Sequence, residues 1–328
     1  MVSTGQDTTA QQEGAESLEY YLFNAHGDVV GLTDQNGNMR KQYDYDAWGN
    51  EKNPDPNDTN VWRYAGEMYE KETGTYYLRA RAYNPMIGRF TSEDVARDGL
   101  NWYTYCANNP LNFIDPSGCA EYQIGGIDKA PAFYHDKGYP YNPNAKATWG
   151  DRLSYAKWAA MAELSEYAPH LQDASYMYNH YRNGSGKDVK VNYTRAYMFD
   201  KTIKSYIDNE VSLIKIFAQE NYAQTGETSF EIIGGLQPIP NGTNENWQKT
   251  IGAHNTYGHA VVTINPETGK ASMKVTFHME DMYNFNPGQA DIASGTPDAV
   301  NGRFAEIGWA KEFKTYGSMT KKYKWDLS

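Results

Sequence analysis

The stretch Asn109-Pro-Leu-Asn-Phe-Ile-Asp-Pro-Ser-Gly-Cys119 separates two parts of the chain that differ in character. Before it, short aromatic and β-branched runs alternate with Asp-, Asn- and Gly-containing turns, a pattern typical of β-strands. After it, runs with helical spacing come first and alternating strands follow. Within it, Asp115-Pro-Ser-Gly118 favours a tight turn, because proline restricts φ and glycine permits positive φ. The sequence therefore predicts a mixed protein, with a β-rich first part and an α+β second part.

Length and composition exclude several classes of protein. The 328 residues suffice for two domains, and no apolar run is long enough to predict a membrane-spanning helix. Cys106 and Cys119 are too few for a disulfide framework or a cysteine-based zinc site. Residues 1–118 hold 18 acidic and 9 basic side chains, and residues 119–328 hold 23 and 21. Because neither part has the basic excess typical of nucleic-acid binders, the charge indicates no nucleic-acid partner.

The first part is expected to begin with a polar, disordered leader over 1–19, which lacks the apolar segment of a signal peptide. Further on, Val29–Leu32 and Lys41–Tyr45 are predicted to pair around the turn Asp34–Gly37. A single hairpin of this kind cannot bury one face by itself. The pattern therefore predicts a stack of neighbouring hairpins.

Several motifs of the first part resemble the RHS-repeat-associated core, found near the end of RHS/YD-repeat polymorphic toxins. They are Gln42-Tyr-Asp-Tyr-Asp-Ala-Trp-Gly-Asn50, Arg63-Tyr-Ala-Gly66, Thr75-Tyr-Tyr-Leu-Arg-Ala-Arg-Ala-Tyr83, Gly88-Arg-Phe90, Asn101-Trp-Tyr-Thr-Tyr105 and Asn108-Asn-Pro110. The resemblance implies that 20–118 are the last turns of a hollow β-shell enclosing a C-terminal toxin. It also implies secretion or delivery into a target bacterium, and two partners: the RHS shell of the parent chain and a cognate immunity protein.

The same resemblance implies self-cleavage just after Asp-Pro-x-Gly, between Gly118 and Cys119. An aspartyl mechanism uses two carboxylates, one as acid and one as base. The resemblance assigns these roles to Asp115 and to Asp94, which lies 21 residues earlier. The alternative is that both side chains only cap turns.

The second part is expected to start with a Pro-, Gly-, Tyr- and Asn-rich linker over 119–150, followed by a toxin domain over 151–328. Helices are predicted over 151–167, 173–181, 194–223 and 304–313, and strands over 189–193, 230–233, 259–264, 272–278 and 323–325. This order predicts an α+β domain in which helices precede a curved antiparallel sheet.

An irregular stretch after the predicted strand 272–278 is rich in carboxylates. Its acidic residues are Glu280, Asp281, Asp291, Asp298 and Glu306, and His278 lies just before it. Loops held by a rigid sheet often carry catalytic groups, and carboxylates beside a histidine suit acid–base hydrolysis. Carboxylates among Gly, Pro and Asn also suit a hard cation such as Mg²⁺, whereas the simpler alternative is local backbone bonding. His254 and His259 are a weaker candidate metal pair.

Two blocks of the second part resemble colicin M-type bacteriocins. One runs from Tyr178 to Tyr193, and the other is Asp281-Met-Tyr-Asn-Phe-Asn286. The resemblance implies an open-barrel α/β domain that cleaves the phosphoester of lipid-linked peptidoglycan precursor with Mg²⁺, acting on the envelope or periplasmic side. It places catalytic roles on Asp281 and Tyr283.

The predicted catalytic set is therefore Asp281, Tyr283, Asp291 and His278, with Asp281 and Glu280 as Mg²⁺ ligands. Two other functions remain open from the sequence. One is a non-enzymatic toxin that perturbs membranes, and the other is a nuclease or protein-modifying toxin.

Overall fold

The computed structural model describes residues 18–94, 102–290 and 295–327. Nearly all of the predicted leader over 1–19, and the predicted catalytic residue Asp291, lie outside these ranges. Within the described residues, no helix has the length and apolar character needed to cross a membrane.

Two small antiparallel sheets form the first part. Strands β1 (Glu19–Phe23), β2 (Val29–Asp34) and β3 (Met39–Gln42) make one sheet, and β4 (Met68–Glu70), β5 (Thr75–Leu78), β6 (Arg81–Asn84) and β7 (Arg89–Phe90) make the other. Strands β2 and β3 pair as the sequence predicts, with Leu32 opposite Lys41. The prediction of a β-rich first part is confirmed.

Tyrosine rings fill the core of the first part. Tyr76 and Tyr83 are buried, and the ring of Tyr83 stacks on that of Tyr105 at 3.9 Å between centroids. Both hydroxyls are hydrogen-bonded: Tyr76 donates to the Gly49 carbonyl at 2.9 Å, and Tyr83 donates to the Trp48 carbonyl at 2.8 Å. These bonds join the sheet to the preceding turn, because a buried phenol needs an acceptor.

The second part combines six helices and seven strands within the described residues. The helices are α1 (Trp149–Glu166), α2 (Gln172–Arg182), α3 (Tyr193–Phe199), α4 (Lys201–Thr225), α5 (Glu245–Thr250) and α6 (Ala299–Glu306). The strands are β8 (Tyr122–Ile124), β9 (Val189–Lys190), β10 (Ser229–Gly234), β11 (Gln237–Ile239), β12 (His254–Asn265), β13 (Lys270–Tyr283) and β14 (Phe313–Asp326). They form a sheet of order β8-β10-β12-β13-β14-β9, and β11 also pairs with β12. Only the short β9–β14 pair is parallel.

Helix α4 packs its apolar face against the inner face of this sheet, with Ile207, Ile214 and Phe217 fully buried. The sequence predicts one helix over 194–223, whereas the structure has a break at Asp200. That residue is extended, and its carboxylate accepts bonds from the amides of Thr202 and Ile203. The aspartate thus caps α4, which is why the two helices do not continue into each other.

The strands around the predicted site are longer than expected. Strand β13 continues to Tyr283 because Asp281 and Tyr283 pair with Thr315 and Phe313 of β14. Glu280 and Asp281 therefore lie at the end of a strand and not in a loop, which corrects the prediction. The predicted helix over 304–313 is also displaced, because α6 ends at Glu306 and β14 begins at Phe313.

The junction between the two parts is not a free linker over its whole length. The predicted linker 119–150 contributes strand β8, in which Ile124 pairs with Ile232 of β10. Tyr122 also exchanges both backbone hydrogen bonds with Ile114. Tyr122 is buried against Phe217 at 5.4 Å between ring centroids, so hydrophobic burial attaches this segment to the second part.

Candidate functional site

A cavity of about 850 Å³ opens beside the end of β13. Helices α1 and α2 form one side, and the chain after Tyr283 forms another. Asp281, Tyr283 and Asp298 line it, together with aromatic side chains such as Trp158 and Tyr178. A cavity of this size with a few carboxylates and several aromatic rings can hold a small ligand or one group of a larger substrate.

Asp281 is the most perturbed carboxyl in this cavity. Burial raises its pKa well above the ordinary value, and the negative charge of Asp136 raises it further. Asp281 therefore releases its proton at a higher pH than an exposed aspartate does. A partly buried acid with a raised pKa in a cavity is a candidate catalytic group.

Asp136 is a member of the site that the sequence analysis missed. It lines the same cavity from within the predicted linker, and the side-chain amides of Asn284 and Asn286 donate hydrogen bonds to its two oxygens. It is the one acidic residue between Ala130 and Gly150, which is the signal that could have found it. Its partners Asn284 and Asn286 both belong to the motif that begins at Asp281.

Side chains alternate between the two faces of β13, so the other predicted catalytic and metal-binding residues do not all lie on the face of Asp281. Tyr283 lies on the same face as Asp281 and lines the cavity, and its ring stacks on Phe313 at 5.0 Å. Glu280 lies on the opposite face, where it meets His135 at 3.0 Å and Lys314 at 3.1 Å. Adjacent residues of a strand point to opposite faces, so Asp281 and Glu280 do not share one site.

His278 also lies on the opposite face from Asp281. Its ring stacks on that of Tyr257 at 5.0 Å between centroids. Burial lowers the pKa of His278, and the nearby His259 lowers it further. The structure therefore does not bring His278 to the cavity that contains Asp281.

The remaining candidates have structural partners. His254 is buried against the Tyr193 hydroxyl at 2.9 Å, and burial lowers its pKa to about 4. His259 pairs with Glu231 at 2.6 Å, so the two histidines do not form a metal pair. Asp298 lines the cavity and accepts the Asn286 amide at 3.0 Å, whereas Glu306 pairs with Arg303.

Few side chains in the described residues are placed to bind a metal ion. Among the described residues, no three His, Cys, Asp or Glu side chains are placed to hold a metal ion together. Mg²⁺ is commonly held by only one or two carboxylates, with water completing its shell. Asp281 and Asp136 face one cavity, unlike the predicted pair Asp281 and Glu280, but Asp281 must lose its proton before it can act as a ligand.

A second site surrounds the predicted cleavage position. Asp115 is buried, and its Oδ1 accepts the amide of Cys119 at 3.0 Å and that of Ala120 at 3.1 Å. Burial raises its pKa to about 6, although Arg81 opposes the shift. The carboxyl thus contacts the nitrogen of the Gly118–Cys119 peptide bond while its pKa is close to neutral.

Arg81 joins the two predicted aspartates, and the sequence analysis did not single it out. Its guanidinium lies 3.8 Å from the Asp115 carboxylate and 3.5 Å from that of Asp94. Its Nε donates to the Gly118 carbonyl, which belongs to the same peptide bond. Arg81 is part of the motif Thr75–Tyr83, so the resemblance contained the signal.

Gly118 has a φ of +69°, and a Cβ there would lie 2.5 Å from the Leu78 carbonyl oxygen. Only glycine suits this backbone position. The following residue, Cys119, is exposed, and burial of part of its side chain raises the pKa of the thiol. The peptide bond is therefore held rigidly, with a buried glycine before it and an exposed cysteine after it.

The comparisons with known proteins identify the first part. Residues 10–113 match the family model of the teneurin YD-shell. The first part of the chain is an RHS/YD-repeat region. It is 45% identical over 108 residues to the tRNA(Glu)-specific nuclease WapA of Bacillus subtilis subsp. natto, covering 30% of this chain and 5% of that protein.

Other relatives are a putative uncharacterized protein, YlbH, of Escherichia coli (33% identical, 34% of this chain, 48% of that protein) and the double-stranded DNA deaminase toxin A of Burkholderia cenocepacia (34% identical, 32% of this chain, 8% of that protein). The chain thus spans a twentieth to about half of these relatives. Each of these alignments covers about a third of this chain. None of them can therefore span both the first part and the whole second part.

Proposed function

We propose that this chain is a toxin whose second part is a phosphoester-cleaving enzyme, with Asp281 as its acid–base residue. The observation that carries the proposal is the convergence of two blocks on one cavity. Tyr178 of the first block and Asp281 of the second are more than 100 residues apart, yet both line it. Tertiary convergence of separate polar segments on a cavity is characteristic of enzyme active sites.

The chemistry follows from the two carboxyl groups. Burial raises the pKa of Asp281, which favours its protonated form and suits it to protonate a leaving oxygen. Asp136 is held by two side-chain amides and can orient water at the same cavity. If Mg²⁺ binds, Asp136 and water would hold it while Asp281 acts as the proton donor, and the ion would stabilise the negative charge of the phosphoryl oxygens.

Two substrate classes fit a phosphoester-cleaving toxin. The motif Asp281–Asn286 supports a lipid-linked peptidoglycan precursor. The names of the relatives, which include tRNA nucleases and a DNA deaminase toxin, support nucleic acid. We favour nucleic acid, because Asn284 replaces the second aspartate of the colicin M-type signature. This choice reverses the expectation from net charge.

The test is to express the full chain in bacteria, either in the cytoplasm or directed to the periplasm, with and without Asp281→Asn. Cytoplasmic killing with degraded RNA or DNA supports nucleic acid as the substrate. Periplasmic killing with release of an undecaprenyl product supports the lipid-linked precursor. Killing that persists in the variant, accompanied by dye leakage from vesicles, would instead support the membrane-perturbing alternative and end the enzymatic proposal.

We also propose that the RHS core cleaves the chain between Gly118 and Cys119. Arg81 polarises the Gly118 carbonyl, and Asp115 contacts the leaving nitrogen with a pKa of about 6. Asp94, paired with Arg81, would activate the attacking water by accepting its proton. Water adds to the carbonyl carbon, the carbon–nitrogen bond breaks, and the proton of Asp115 passes to the new amine.

Mass spectrometry of the purified full chain tests this step. Fragments ending at Gly118 and beginning at Cys119 are expected, and Asp115→Asn should leave the chain intact. Asp34→Asn is the matched control, because Asp34 also accepts two turn amides at 2.9 Å but lies away from the junction. An intact wild-type chain, or equal cleavage in the Asp115 variant, would show that the two aspartates are turn caps.

The family also suggests the setting in which the chain works. We propose delivery into a target bacterium, protection of the producing cell by a cognate immunity protein, and enclosure by the RHS shell of a parent chain. Copurification of a neighbouring gene product that blocks killing would test the immunity partner. Full toxicity in its presence would remove that assignment.

A further inference from the structure

Four exposed lysines lie together on the outer face of the large sheet. Lys270 and Lys274 belong to β13, and Lys322 and Lys324 belong to β14. The strands alternate, so these side chains point away from the buried face, on which Val275 and Met273 pack. We call these four residues the lysine patch.

The strand register places positive charges directly against each other. Lys274 is opposite Lys322, and Ser272 is opposite Lys324. Like charges opposite each other on neighbouring strands destabilise a sheet. The protein retains this unfavourable arrangement on a face where neutral polar side chains would serve the fold better.

Other lysines of β14 have acidic partners, in contrast to the patch. Lys314 pairs with Glu280 at 3.1 Å, and Lys321 reaches Asp208 at 3.9 Å. Within the described part of the chain, no such ion pair is found for the four patch lysines. The nearest acidic positions in the register are Asp326, opposite Lys270, and Glu231, which is already bound to His259.

Hydroxyl groups surround the patch. Thr276 and Thr320 are paired across the strands with 2.9 Å between their oxygens, and Ser272 lies beside Lys324. Lysines interspersed with serine and threonine hydroxyls are the groups that contact phosphate in protein–nucleic acid complexes. The neighbouring aromatic residues Tyr323 and Trp325 face the other way, toward Lys215.

We propose that the lysine patch binds the phosphate backbone of a nucleic acid. This inference rests on the proposed function, because it assigns a binding surface to the proposed nucleic-acid substrate. The binding itself requires no catalysis.

The character of the face favours this partner over others. A stable protein partner usually needs an apolar centre with aromatic anchors, and a membrane surface favours exposed aromatic or apolar groups. The face offers ammonium and hydroxyl groups, and Val261 is the one large apolar side chain beside Lys274 in the register. Contact through charge alone is typical of backbone recognition without sequence preference.

The test is fluorescence anisotropy with the full chain and a labelled 20-nucleotide RNA, using Asp281→Asn as the background to prevent degradation. Four phosphate contacts predict a slope of about −3 for log affinity against log salt on a single strand. Lys274→Glu with Lys322→Glu should weaken binding at least about tenfold and reduce the slope by about 1.4. Lys157→Glu with Lys187→Glu is the control, since both lysines are exposed on other surfaces.

Each outcome decides the proposal. Equal binding by the patch and control variants would overturn it, as would patch-dependent binding to anionic vesicles without binding to RNA. Thermal melting and the milder pair Lys274→Gln with Lys322→Gln separate lost binding from lost folding. Patch-dependent RNA binding without nucleic-acid degradation in cells would uphold the patch while refuting the proposed reaction.

Discussion

The RHS core and the second part are both rich in strands, but they bury different side chains. The RHS core is filled by tyrosines such as Tyr64, Tyr76 and Tyr83, whose hydroxyls bond to turn carbonyls. The second part is filled by aliphatic and phenylalanine side chains between α4 and the large sheet. The difference teaches that hydrogen-bonded tyrosine rings stabilise the first core, whereas packing of apolar side chains stabilises the second.

The two candidate sites differ in where their groups come from. Around Asp115 they come from one turn and from strand β6, both within the first part of the chain. Around Asp281 they come from the predicted linker, α2 and the end of β13. Both sites use a buried carboxyl group whose pKa is raised by burial.

The largest effect is expected at the cavity. Asp281→Asn should reduce killing by about 100-fold or more, because loss of a general acid costs that much in rate. Glu280→Gln is the matched control, since this neighbouring carboxylate lies on the opposite face beside Lys314. Survival counts after induction measure both. Equal losses would show that the two faces of β13 do not differ in function.

A comparable effect is expected at the junction. Arg81→Lys should slow cleavage after Gly118 by about 100-fold, because it removes a donor to the carbonyl and the bridge between two carboxylates. Arg63→Lys, at an equally buried arginine of the RHS core, should leave the cleavage rate near that of the wild type. A gel time course measures the rates, and similar slowing in both variants would point to a general folding defect.

One substitution in each core compares how the two cores are stabilised. The quantity measured is the free energy of unfolding. Phe277→Ala removes a fully buried ring from the second part and should cost about 3–5 kcal/mol. Tyr76→Phe removes only the hydroxyl bonded to Gly49 and should cost about 1 kcal/mol. Urea denaturation followed by circular dichroism measures both. A larger cost for the tyrosine change would mean that the hydroxyl network dominates the RHS core.

The smallest effect concerns pH. Burial raises the pKa of Glu210 from 4.5 to about 7, and one of its oxygens is buried without a hydrogen-bond partner. As pH rises from 4.5 to about 7, the unfolded chain releases this proton first, so the stability of the folded protein falls. Glu210→Gln should remove up to about 3 kcal/mol of that loss.

Melting temperatures at pH 5 and pH 8 measure this difference. Burial also raises the pKa of Glu121 to about 7, and the charge of Glu210 contributes to that shift, so Glu210→Gln should lower the pKa of Glu121 and add to the difference. Identical pH dependence in the wild type and the variant would show that Glu210 is already ionised in the folded protein.

Much of the fold could be predicted locally. The hairpin β2–β3, helices α1 and α2, and the strands of the large sheet follow from turn chemistry and apolar spacing. The break at Asp200 could not be predicted with confidence from the apolar pattern, since the periodicity continues on both sides. The true length of β13 also escaped prediction, because its last residues are polar and are ordered by pairing with β14.

The sequence by itself indicated the RHS/YD-repeat character of the first part, the position of the junction, and Asp281 and Asp115 as candidate residues, because each depends on motifs or neighbouring residues. Only the tertiary structure decided that Asp136 and Arg81 join those sites, and that Glu280 and His278 point away from Asp281. It also decided that Lys274 lies against Lys322. The physical reason is strand register: side chains alternate between faces, and partners far apart in the chain meet only when the strands pair.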